Sequence, residues 1–145
     1  LSNLMCWDAV IQSLYNAKAI SERKYKSLFE KNLGRQCESV IDPSSSTIVG
    51  SKYDLFRVPQ GSFLGFFEIN RNSQYRLIHA MLSVGAGCAA GNKNACIGIG
   101  NYVGWEILNL SNLRWMPEQQ CFNLVPLGNE GEALIHVRYS LSIYE

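Results

Sequence analysis

Val58-Pro59-Gln60-Gly61-Ser62-Phe63-Leu64-Gly65-Phe66-Phe67 separates two kinds of sequence. Pro59 and Gly61 mark a turn, and Ser62 to Ile69, carrying Phe63, Phe66 and Phe67, predicts a strong strand. Toward the C-terminus every periodic stretch reads as β. Asn70 to Ser73 is a polar turn, and Tyr75 to Val84 and Cys88 to Gly91 flank the tight turn Gly85-Ala86-Gly87. Gly104 to Leu110 and Cys121 to Leu127 are further strand candidates. From Ala133 to Tyr144 the chain alternates. Ala133, Ile135, Val137, Tyr139, Leu141 and Ile143 face one way, and His136, Arg138, Ser140 and Ser142 the other, as in a half-buried antiparallel strand.

Toward the N-terminus the period changes. Met5 to Ala19 reads as a helix with Met5, Val10, Leu14 and Ala17 near helical spacing, capped by Ser2 or Asn3. Ser21 caps a second helix through Lys31, and Gly34 stops it. Arg35 to Ser51 is irregular, with Asp42-Pro43-Ser44-Ser45-Ser46 the clearest loop and Thr47-Ile48-Val49 a short strand. Helices first and strands after predict an α+β fold, N-terminal helices packed on an antiparallel sheet. At 145 residues the chain is expected to form one domain, 1–145. Without a starting Met, it is expected to be a fragment of a longer protein.

Hydrophobic residues make up 47% and charged residues 17%, which excludes a disordered tail. A net charge of +1 points away from nucleic acid, and the cluster Arg23-Lys24-Tyr25-Lys26, beside Glu22 and Glu30, reads as a solvated helix face. No stretch is long and apolar enough for a membrane span, and the start lacks the pattern of a secretory signal. Five cysteines, Cys6, Cys37, Cys88, Cys96 and Cys121, leave at least one unpaired within the chain, and none forms a C-x-x-C pair. No metal site and no cofactor are expected. The count suits four structural thiols and one reactive one in a reducing compartment.

Only two histidines are present. His136 lies on the polar face of the last strand and reads as a surface residue. His79 lies early in a strand beside Leu77, Met81 and Ser83, where a half-buried structural histidine is the plain alternative. Cys6 sits at or near the N-terminal end of the first helix. There the helix dipole and unpaired N–H groups favour a thiolate and would hold an oxyanion. Its plain alternative is a small buried hydrophobe. A nucleophilic thiolate needs a base and an orienting third group, and His79 is the one suitable histidine. A hairpin about Ala86 brings Asn92 or Asn94 opposite His79, either of which would orient the ring.

The order of these pieces resembles the papain-like cysteine hydrolases, and in its core the NlpC class of cell-wall endopeptidases. Cys6-Trp7 opens a helix as their nucleophile does. Val58 to Phe67 resembles their "pro-Gly-Asp-leu-val-Phe-Phe" strand, with Ser62 in place of Asp. Leu77-Ile78-His79-Ala80-Met81-Leu82-Ser83-Val84-Gly85-Ala86-Gly87 resembles their "His-val-gly-ile-tyr-ile-Gly-asn-Gly" strand. Two departures stand out: Met5 precedes Cys6 where the class has Asp, and few residues lie upstream to supply an oxyanion group beyond Asn3 and Ser2. The C-terminal half, with Trp105 and Trp115, is more similar to small papain-like bacterial toxin and effector domains.

The resemblance implies a papain-like fold and a cysteine-dependent hydrolase or acyltransferase acting on amide bonds. The role could be that of a protease, a glutamine deamidase or a transglutaminase. Cys6, His79 and Asn92 or Asn94 would form the triad, and Asn3 and Trp7 would serve the oxyanion and substrate. The partner would be a protein or peptide substrate, with a host target or immunity protein as a further one. The setting would be secretion by a bacterium and delivery to the cytosol of a target cell. Two alternatives stand beside it. One is a non-enzymatic protein-binding module, since sixteen aromatics could form a recognition surface. The other is a peptidoglycan amidase or endopeptidase.

Overall fold

The structure of the chain, a computed structural model, describes residues 6–29, 40–69, 75–92, 105–124 and 134–145. α1 (Cys6–Asn16) turns Trp7, Ala9, Val10, Ile11 and Leu14 inward. It stops where Lys18 goes left-handed, with φ 58°. There Ala19 N–H donates to the Leu14 carbonyl and Lys18 N–H to that of Tyr15, which satisfies two of the helix's orphan acceptors. α2 (Glu22–Phe29) starts as expected on Ser21, whose Oγ accepts from the Lys24 N–H at 3.0 Å. Tyr15 and Tyr25 stack across the two helices at 4.2 Å.

The strands are β1 (Thr47–Ile48), β2 (Phe63–Ile69), β3 (Tyr75–Gly85), β4 (Cys88–Asn92), β5 (Trp105–Asn109), β6 (Arg114–Met116), β7 (Cys121–Asn123) and β8 (Leu134–Ser140). Among the described residues they form one antiparallel sheet in the order β5-β4-β3-β2-β8-β7-β6, with β1 also paired to β8. β2 is therefore central, bonded to β3 on one side and β8 on the other. β3 and β4 are joined through Ala86 and Gly87, with φ of 54° and 78°. Two consecutive positive values match the right-handed twist of a tight hairpin. Between Phe66 and Phe67 the β2–β3 register shifts: Phe66 lies opposite His79, Phe67 opposite Leu77, and Ile78 is the extra residue of a bulge.

Both faces of this sheet are covered. One carries α1 and α2, with Trp7, Val10, Ile11, Leu14, Phe63 and Phe67 among its buried residues. On the other, Leu64, Phe66, Met81 and Val137 meet Leu55 and Val58, Leu110 and Leu113, and Phe122 of β7. Leu55 belongs to a helix that sequence periodicity did not predict, α3 (Lys52–Arg57), and Leu110 opens a 3-10 turn over Leu110–Asn112.

The expected α+β, papain-like arrangement of helices packed on a sheet is overturned. Among the described residues the chain is mostly an antiparallel β half-barrel with only short helices. Much of the cover comes from short turns and strands, whose apolar residues show no helical period. The end of the chain also differs in detail. β8 stops at Ser140, after which a 3-10 turn, Ser142–Tyr144, carries Ile143 to the α1 face. The polar side of β8 is not a solvated face: Arg138 Nε donates to Ser46 Oγ at 2.7 Å and Ser140 Oγ to the Ser45 carbonyl at 2.8 Å. His136 is half-buried there, and its basicity falls because of that burial and the nearby Arg138 charge.

Candidate functional site

Cys6 is the first residue of α1 and is half-buried against the cluster on the α1 face. α1 lies over β3 and β4, so any base on the inner side of those strands would have to point toward it. Alternation decides which side chains do. Ala80 belongs to the α1-side cluster and Leu82 packs on it, whereas Met81 belongs to the opposite cluster. Directly paired residues share a face. His79 is paired with Phe66, and the two rings lie 5.8 Å apart. Phe66 faces the cluster remote from α1, so His79 does too.

The structure therefore does not bring Cys6 and His79 together. The imidazole is 2% exposed. Among the described residues neither ring nitrogen has a hydrogen-bond partner, and burial pushes its pKa down to about 4. It is a neutral core ring, not a base poised beside a thiol. Asn92 is buried at the end of β4. Gly91 has the α1-remote Met81 against its Cβ position, so alternation turns Asn92 to the α1 face. Asn92 thus shares a face with Cys6 and is separated by the sheet from the ring it was expected to orient. Trp7 is no substrate platform: it is buried and packs edge-on against Phe63 at 5.6 Å. Asn3 and Asn94 lie outside the described residues.

Hollows lined by described residues alone lie elsewhere. One of about 450 Å³ borders Ser44, Ser45, Ser46, Thr47, Ser142 and Glu145, and one of about 230 Å³ lies between Ile20, Lys24 and Tyr144. Among the described residues no three metal-ligating side chains come together, and no helix is long and apolar enough to cross a membrane.

α3 offers a different site. Its start is held from both sides: Ser51 Oγ accepts from the Asp54 N–H at 3.3 Å, and Asp54 Oδ2 accepts from the Gly50 N–H at 3.1 Å. Leu55 anchors the inner side in the core. Tyr53 and Phe56, three residues apart and so on one helix face, are 79% and 50% exposed. Phe56 lies across the β3–β4 turn, where a Cβ on Gly87 would come within 3.2 Å of its ring. Arg57 beside them is largely exposed and only loosely held by Asp54, at 4.0 Å. The sequence signal for this helix was Ser51-Lys52-Tyr53-Asp54, a serine followed three residues later by a carboxylate.

Comparison of the chain with protein-family models, with curated proteins and with solved structures finds no match.

Proposed function

We propose that this chain is a protein-binding module that docks through the aromatic face of α3. The observation that carries this is the exposure of Tyr53 and Phe56 on a helix fixed by its cap and its buried Leu55. Tyrosine and phenylalanine exposed on rigid elements bring large contact area at low entropic cost, and a neighbouring arginine is the typical third member of a binding hot spot. A protein partner that covers the rings and places a carboxylate against Arg57 answers both features. A thiol hydrolase built on Cys6, His79 and Asn92 is disfavoured, because the sheet separates the thiol from the imidazole.

Thiol reactivity is a direct test. Iodoacetamide at neutral pH should label Cys6 no more than a few-fold faster than Cys88, which is also half-buried. Labelling of Cys6 faster by two orders of magnitude or more would restore the hydrolase. For docking, a photoreactive phenylalanine derivative is placed at Tyr53 in the cells that express the chain. One protein adduct should form, survive Cys6→Ser and disappear with Phe56→Ser. An adduct that vanishes with Cys6→Ser instead would put the business end of the molecule at the thiol.

A further inference from the structure

We infer that His79 makes the fold acid-labile: protonation of its ring undoes the side of the sheet that holds α3. The ring sits on the bulged part of β3, opposite Phe66 and within the layer formed by Phe66, Met81 and Val137. Both of its nitrogens are enclosed, and among the described residues neither meets a donor or acceptor. A neutral imidazole is tolerated there at the cost of two unmet hydrogen bonds. An imidazolium is not, because the ring is shut off from bulk solvent and, among the described residues, is hydrogen-bonded to no counter-ion.

Among the described residues, the charged and titratable groups on that face form no hydrogen bond to the ring. On β2 it is Glu68, which pairs with Arg76 of β3 at 3.1 Å. On β5 it is Glu106, opposite Gly91. On β8 it is Tyr139. On β4, Ala89 and Gly91 bring none, and α3 turns Leu55 inward. None of them is hydrogen-bonded to the ring. Leu55 and Val58 belong to the same cluster as Phe66, so the element that displays Tyr53 and Phe56 loses its support with it. That link to docking rests on the proposed role of α3; the lability itself does not.

The sign follows from the ring's depressed basicity. A histidine whose folded pKa, about 4, lies below its ordinary value of 6.5 contributes its full stability above pH 6.5. That stability drains away as pH falls toward 4, because the unfolded chain binds the proton first. At pH 5 the folding equilibrium constant should be about thirty-fold smaller on this account alone. His136 is shifted the same way but is only half-buried. Asp8 is raised by burial and acts with the opposite sign, while Asp42 is lowered by its Ser44 and Ser45 hydrogen bonds and acts only at lower pH.

Urea unfolding of the full chain at pH 7.5 and pH 5.0 tests this, with no partner present, so its outcome is independent of the docking proposal. The wild type should lose about thirty-fold in folding constant between the two. His79→Leu should lose about three-fold or less, and His136→Asn should still lose about ten-fold or more. An equal loss in His79→Leu and wild type overturns the inference. If His79→Leu does not fold, the imidazole resonances of the wild type decide. A ring that stays neutral until the folded signals vanish together supports the inference, and a ring that titrates near pH 6.5 within the folded protein ends it.

Discussion

Gly65 sits where the sheet is tightest. A Cβ there would lie 2.7 Å from Ile41 Cγ1 and 2.9 Å from the Phe67 ring. Neither neighbour has room to retreat, since both are buried in the α1-side cluster. Gly65→Ala should therefore destabilise by about 1–3 kcal/mol, read as a lower urea midpoint with an unchanged slope. The same crowding explains what could be read at this scale and what could not. Phe63, Phe66 and Phe67 are expected in a strong strand, and all three are buried in β2 at the centre of the sheet. Which face carries α1 was not legible, because Phe63, Leu64, Phe66 and Phe67 are buried on both sides and no polar alternation marks either. By strand alternation alone, His79 falls on one face with Leu77 and Met81. The bulge at Ile78 breaks that group, leaving Leu77 on the α1 side and His79 with Met81 on the other. A single inserted residue reverses which side chains share a face, and nothing in Leu77-Ile78-His79-Ala80 announces it.

The short helix α3 depends on its cap more than a longer helix would, because six residues bring few internal hydrogen bonds of their own. Ser51→Ala removes the side-chain acceptor for the Asp54 N–H. It should cost about 1 kcal/mol in global stability, with faster amide exchange concentrated over Lys52–Arg57. Equal exchange in the two proteins would mean that Leu55 alone holds the helix. α1, α2 and the β3–β4 hairpin were legible because each has its own signal: helical spacing, the Ser21 cap, and Gly85-Ala86-Gly87. α3 is not legible because its one inward apolar residue, Leu55, cannot show a period, and it borders a chain that otherwise reads as β. The strand expected over Cys121 to Leu127 is described only as β7, Cys121–Asn123, followed by the buried Leu124.

At the scale of the whole molecule, the sheet lies between two apolar layers, and β2 at its centre is enclosed on both faces and along both edges. Helices before strands suggested one helical layer on one sheet. The second layer is not legible in the sequence because it is assembled from α3, a 3-10 turn and a short hairpin, each too small to carry a pattern. Burying Ser62-Phe63-Leu64-Gly65-Phe66-Phe67 at the middle has a further effect. The segment is uncharged, rich in β-formers and free of proline, the composition from which fibrils and amorphous clumps are nucleated. While the sheet is closed, no other chain can pair with it. Once the sheet opens, by heat or acid, neighbouring molecules compete with β3 and β8 for the same strand. Heating should therefore end in turbidity, a second scan should recover little signal, and the apparent melting temperature should rise with scan rate and fall with protein concentration. A fully reversible, concentration-independent melt would show that the segment stays protected in the unfolded chain. Otherwise the working lifetime of the protein is set by how seldom the sheet opens, not by how favourable its closing is.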